Sequence, residues 1–407
     1  MGIFVYMKRC FLWVFLSAGC QMTAQAQQKL VVSNPTDMQR HEVIEVSDVS
    51  VVDSLLIIRD AFGIQQPWQR THDGKVLLYV SVRPHGEAVY TLEKADGRWQ
   101  MVEGTMVPRV FGKYYPERAD DISFENDRIG FRIYGPATQR RGEKAFGYDL
   151  WVKHSSELLV DSLYRLEFSL HPEIAELRKQ GRLREADSLT TVTSYHLDHG
   201  AGMDGYGVGP TLGCGTPALM VDGSLCFPWC YEQYTILDNG PLRFTVRLDF
   251  GEKDVHGQKI REHRLLTLDR GSNFCQMRVW YDGICKPISL TAGFAVRTAD
   301  TTSVVLGKNY IHYADPTIDP QRHNSQIYVA AIFPEGVDEI RKLMFDQPIG
   351  ANAGHALGVV RDYVGQPYTY YAGMGWSDFD VRSQEEWNCR VSYFMRALSA
   401  PLHIRKE

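Results

Sequence analysis

Leu242-Arg243-Phe244-Thr245-Val246-Arg247-Leu248 alternates apolar and polar side chains at every step. Side chains of a strand point to opposite faces with period two, so this segment reads as a half-buried β-strand. The same alternation recurs in Val76–Val82, Gly130–Tyr134 and Met277–Tyr281. Apolar runs at Ile288–Val296, Ser303–Leu306, Ile327–Phe333 and Tyr368–Tyr371 read as more deeply buried strands. Asp73-Gly74, Asp96-Gly97, Asp222-Gly223 and Asn239-Gly240 supply the tight turns between strands. Many short strands with turn chemistry between them predict an all-β protein of stacked antiparallel sheets.

Helical spacing occurs in two places. Ile174, Leu177, Leu183, Ala186 and Leu189 recur at three- and four-residue steps, interrupted at Gly181, which predicts a surface helical excursion over 171–190. Ser383 and Glu386 form a capping box, and Trp387, Val391, Phe394 and Leu398 follow on one face. A C-terminal helix packed on a sheet is expected there.

Directly after the helical excursion comes Tyr195-His196-Leu197-Asp198-His199-Gly200-Ala201-Gly202-Met203-Asp204-Gly205-Tyr206-Gly207-Val208-Gly209. It concentrates imidazoles, carboxylates and phenols on a backbone interrupted by five glycines. Glycine is retained at such density where the chain turns with positive φ or approaches something closely. Groups that titrate near neutrality, presented on such a loop, suit proton transfer. A solvated surface turn is the competing reading.

The chain has 407 residues and a formal net charge of −5. That balance gives no reason to expect nucleic acid as a partner. Lys8 and Arg9, the apolar run Phe11–Leu16 and Ala24-Gln25-Ala26 read as a signal peptide over 1–26. Ser17-Ala18-Gly19-Cys20 offers the alternative of a lipoprotein box with Cys20 acylated. The expected location is periplasmic or secreted, with no transmembrane segment. An N-terminal β region over 27–118 and a main β region over 119–407 are the expected organisation. After the leader, Cys226/Cys230 and Cys275/Cys285 are spaced for disulfides in an oxidising compartment. The 21 tyrosines and eight tryptophans include candidates for stacking on sugar rings.

The stretch from Pro116-Glu117-Arg118-Ala119-Asp120-Asp121 through Ile133-Tyr134-Gly135-Pro136 resembles a known family. So do Gly147–Lys153, the 195–209 loop, Asn239-Gly240-Pro241-Leu242-Arg243 and Gly373-Met374-Gly375-Trp376-Ser377. It is an uncharacterised family of exported Bacteroidota proteins, catalogued as a domain of unknown function. The resemblance implies a β-supersandwich of the kind shared by galactose mutarotases and several polysaccharide lyases. It also implies acidic plant or algal polysaccharide as the substrate class, because members accompany hydrolases of unsaturated uronyl sugars. A glutamate often stands in that family where this chain has Ala201.

β-Elimination of a uronide needs a group that binds the carboxylate, a base for the C5 proton and an acid for the leaving oxygen. His199 and Tyr206 are the natural base and acid, with His196 and Asp204 as further catalytic candidates. Arg132 and Asn126 suit carboxylate recognition, and alternation places Arg128 on the face of Arg132. Tyr148, His263 and Trp376 complete the expected substrate-binding set. Hydrolysis or epimerisation by a carboxylate with histidine is the alternative enzymatic reading, and a non-catalytic glycan binder is the third. No cofactor is expected, although His196, Asp198 and His199 have ligand types suited to a divalent metal.

Overall fold

The computed structural model describes residues 28–51, 55–95, 107–316 and 324–407. The leader, its cleavage point, Cys20 and the turn at Asp96-Gly97 lie outside the described residues. The chain is all-β, with antiparallel sheets of four, five, five, nine and three strands among the described residues. The opening stretch is strand Arg243–Phe250, inside the nine-stranded sheet between Tyr231–Asn239 and Gln258–Asp269. Phe244, Val246 and Leu248 are fully buried in the main apolar cluster, as their alternation requires. Asp222 and Gly223 both take positive φ and close the hairpin between Ala218–Val221 and Ser224–Cys226.

The main cluster starts at Val110 and runs to Trp376. A separate cluster gathers Leu30–Leu92 with Leu402 from the far end of the chain. Strand Val110–Tyr115 pairs with Asp121–Asn126, so the 118/119 division falls in the turn of one hairpin. Strand His403–Lys406 pairs with Gln28–Ser33.

Four α-helices are described: α1 Pro136–Arg140, α2 Val160–Lys179, α3 Leu183–Thr193 and α4 Gln384–Ser399. The expected excursion is the α2–α3 hairpin, broken at Gly181 (φ +76°) and closed by Ile174, Leu177 and Ala186. It begins eleven residues earlier than periodicity predicts, because Val160, Leu163 and Tyr164 pack on Trp151 and Tyr195. Ser383 caps α4 by accepting from the Glu386 amide, and Trp387 and Val391 are buried against Phe274 and Tyr328. Glu386 returns its carboxylate to the Arg382 amide, one residue before the expected partner. The six cysteines after the leader are free thiols, so neither expected disulfide forms. Among the described residues no helix is long and apolar enough to cross a membrane.

Candidate functional site

The five-stranded sheet runs in the order Gly202–Asp204, Asp149–Lys153, Gly130–Ile133, Asp121–Asn126, Val110–Tyr115. Period two gives it one apolar face, with Phe124, Phe131, Leu150, Val152 and Met203 in the main cluster. Its other face carries Asp121, Glu125, Arg132, Asp149, Lys153 and Asp204, all buried. The register explains the grouping: Asp149 lies opposite Arg132, and Trp151 lies opposite both Gly130 and Asp204. Thus the glycine-rich loop and the arginine-bearing strand share one sheet. Helix α2 and Tyr195 cover that polar face through Tyr115, Trp151 and Tyr164. A polar sheet face is therefore neither solvated nor an open concavity here, except at its edge.

Arg132 is the centre of the network. Its Nη2 contacts Asp149, reaches Asp204 Oδ2 at 2.7 Å and donates to the Tyr134 hydroxyl at 3.0 Å. Tyr134 in turn donates to Asp149 at 2.7 Å. The rings of Tyr134, Trp151 and Tyr195 surround the guanidinium at 4.7–5.9 Å. Burial, then the neighbouring Asp204, pushes Asp149 above the ordinary carboxylate range against the pull of Arg132.

The network meets solvent at His196. Its Nδ1 lies 3.1 Å from Asp204 Oδ2, and its side chain is 46% exposed while that of Asp204 is 3% exposed. A second pair sits two residues on, where His154 Nε2 lies 2.6 Å from Asp198 Oδ2. Asp198 also accepts from the amides of Gly200 and Gly202. Gly202, at φ +127°, is required: a Cβ there would stand 2.1 Å from the Val152 carbonyl oxygen. Sequence reasoning missed His154, which follows the quoted 147–153 motif directly. Trp376 explains its placement, since the indole N–H donates to Asn324 and the ring lies 4.5 Å from the His154 ring.

Several expected site residues lie elsewhere. His199 is exposed on the loop. Tyr206 is buried beneath Arg297, 4.6 Å from its ring, with its hydroxyl on the Gly213 carbonyl. Burial drives that phenol well above its ordinary value, against Arg297, and its buried hydroxyl is not placed to serve as the expected acid. Asn126 spends its side chain on the Asp269 and Ser272 carbonyls and the Arg128 and Ile129 amides, which fixes a turn and leaves no reach for a ligand. Arg128 leaves the Arg132 face at that turn and pairs with Asp380. Tyr148 is in the core, accepting from Arg264 at 2.8 Å, its phenol pushed by burial up to about 12. His263 stacks on Trp280 between Asp249 and Asp282, while Glu262 turns inward to Arg264, on opposite faces as alternation requires. Trp376 is buried, so it supports His154 and presents no stacking face. His196 and Asp198 go to separate partners, and among the described residues no three His, Cys, Asp or Glu side chains gather at one metal position.

The family described as Domain of unknown function (DUF4861) matches residues 32–404. A curated relative, Uncharacterized protein P7 of Formosa agariphila, is 25% identical and covers 98% of this chain and 99% of its own. Among solved structures, an α-mannosidase from Enterococcus faecalis superposes with a TM-score of 0.52 at 10% identity over 94% of this chain. A Glycosyl Hydrolase Family 38 protein from the same organism gives 0.51 at 9% identity. This chain spans 46% and 47% of those two chains, and the likeness is one of fold.

Proposed function

We propose that this chain, which belongs to the DUF4861 family, is an exported carbohydrate-active enzyme that cleaves uronate-bearing oligosaccharides by β-elimination on a mutarotase-type supersandwich. The observation that carries the reading is the His196–Asp204–Arg132 series, a half-exposed imidazole oriented by a buried carboxylate that is itself held by a buried cation. The fold likeness to an α-mannosidase supports a saccharide substrate. The uronate class follows from the family resemblance.

In this reading His196 Nε2 accepts the proton from C5 of the uronide. The electron pair left behind forms the C4–C5 double bond, the C4–oxygen bond breaks, and the leaving oxygen takes a proton from His154. Asp204 and Asp198 orient the two rings and stabilise the cationic forms. Elimination fits better than hydrolysis by paired carboxylates, which needs one free carboxylate and one free carboxylic acid. Here Asp149 and Asp204 are held by Arg132, and Asp198 by His154.

The test is incubation of the mature protein with pectic and algal uronate oligosaccharides, following the ultraviolet absorbance of an unsaturated uronyl product. Absorbance that rises in wild type and falls by about 10²–10⁴-fold in His196→Ala, with an unchanged melting temperature, is the expected result. His199→Ala keeps its turnover. Products without absorbance make the protein a hydrolase, affinity without products makes it a binder, and either outcome overturns the proposal.

A further inference from the structure

A groove of about 900 Å³ lies between strand Arg40–Val46, the turn at 269–274 and helix α4. No residue of the 195–209 loop lines it. Arg128, on one wall, and Arg390, on α4, share a single carboxylate. Arg128 Nη1 lies 2.5 Å from Asp380 Oδ2, and Arg390 Nη1 lies 3.9 Å from the same oxygen. Asn273 gives that oxygen a further donor at 3.3 Å, and its own amide oxygen accepts from Arg390 at 3.1 Å. Glu386, one turn before Arg390, spends an oxygen on the Arg382 amide. No carboxylate other than Asp380 reaches ion-pair distance of either guanidinium among the described residues. Arg128 Nε is buried without an acceptor. Burial, then the charge of Arg128, pushes Arg390 below the ordinary arginine range.

Two guanidiniums that share one carboxylate at a cavity wall keep donors that a bound anion takes up. We infer that this groove is a second binding site, in which Arg128 and Arg390 grip the carboxylate of an acidic saccharide. The saccharide part rests on the function proposed above, whereas the anion part rests on the two arginines. The placement also gives Arg128 a ligand role separate from that of the Arg132 sheet face.

The probes are trigalacturonate and its carboxyl-reduced trisaccharide, titrated calorimetrically into the mature protein. The acidic trimer is expected to bind saturably, and Arg128→Gln and Arg390→Gln are each expected to weaken it by at least about tenfold. The titrations are repeated in the His196→Ala background, where the trimer is not turned over, and the loss in each arginine variant is expected to persist there, so a failure of the proposed reaction leaves this site separately testable. Exposed Cys389 lines the groove and exposed Cys285 does not. In the unmutated protein the acidic trimer should therefore slow alkylation of Cys389 and leave Cys285 unaffected, a readout independent of variant folding. Equal binding of the reduced trimer, wild-type affinity in both arginine variants, or unprotected Cys389 at saturating trimer overturns the inference.

Discussion

A carboxylate buried as deeply as Asp121 changes the pH dependence of the whole protein. One oxygen accepts from the Gly135 amide at 2.7 Å, while Arg118 stands off at 3.9 Å. Burial, against Arg132 and Arg118, raises its pKa to about 7. A folded-state pKa above the unfolded value of about 3.9 means the stabilising contribution is complete below that pH and is lost as pH rises through about 7. Asp121→Asn removes this titration. Its melting temperature relative to wild type should rise between about pH 4 and pH 7 and level off above, and parallel profiles would rule the assignment out. The quoted Pro116–Pro136 motif acquires a physical reason at the same place. Ala119 and Asp120 both take positive φ, and a Cβ on Gly135 would stand 2.1 Å from the Asp120 carbonyl carbon. Residue types were readable at this scale, but which were spent was not. Asn126 and Tyr206 have the right chemistry for a site, and each is consumed by partners that no local pattern reveals.

Among elements, α2 decides what the polar sheet face can do, and Glu125 decides where α2 starts. Glu125 Oε1 accepts from the Leu159 and Val160 amides, at the buried N-terminus of the helix, and Oε2 accepts from buried Lys153 at 2.6 Å. Glu125→Ala leaves a fully buried ammonium without its counter-ion, which costs about 3–5 kcal/mol. Chemical denaturation should show that loss, with Glu125→Gln losing less because its amide oxygen still serves the helix. Strands, hairpin turns and the Ser383 cap were legible because each depends on neighbours a few residues away. The first turn of α2 was not, since its cap comes from a strand 34 residues earlier. For the same reason alternation showed two faces on Gly130–Ile133 without showing that a helix covers the second.

At the scale of the molecule, the first and last described strands meet. The Lys29 amide donates to Glu407 at 3.0 Å, the Glu407 amide returns the bond at 2.8 Å, and Leu402 joins the cluster of Leu30 and Val32. Arg40 reaches across to the C-terminus of α4, at the Ala397 carbonyl and that of the capping residue Ala400. Deleting residues 403–407 exposes one edge of Gln28–Ser33. Limited proteolysis should then cut within 28–95 sooner than in the undeleted chain, while the proposed uronate cleavage is retained. Pairing over such a separation leaves no trace in local spacing, which is why the returning strand was not anticipated. It also orders assembly. Gln28–Ser33 keeps an open edge until His403–Lys406, from far along the sequence, pairs with it, so this high-contact-order pairing forms late.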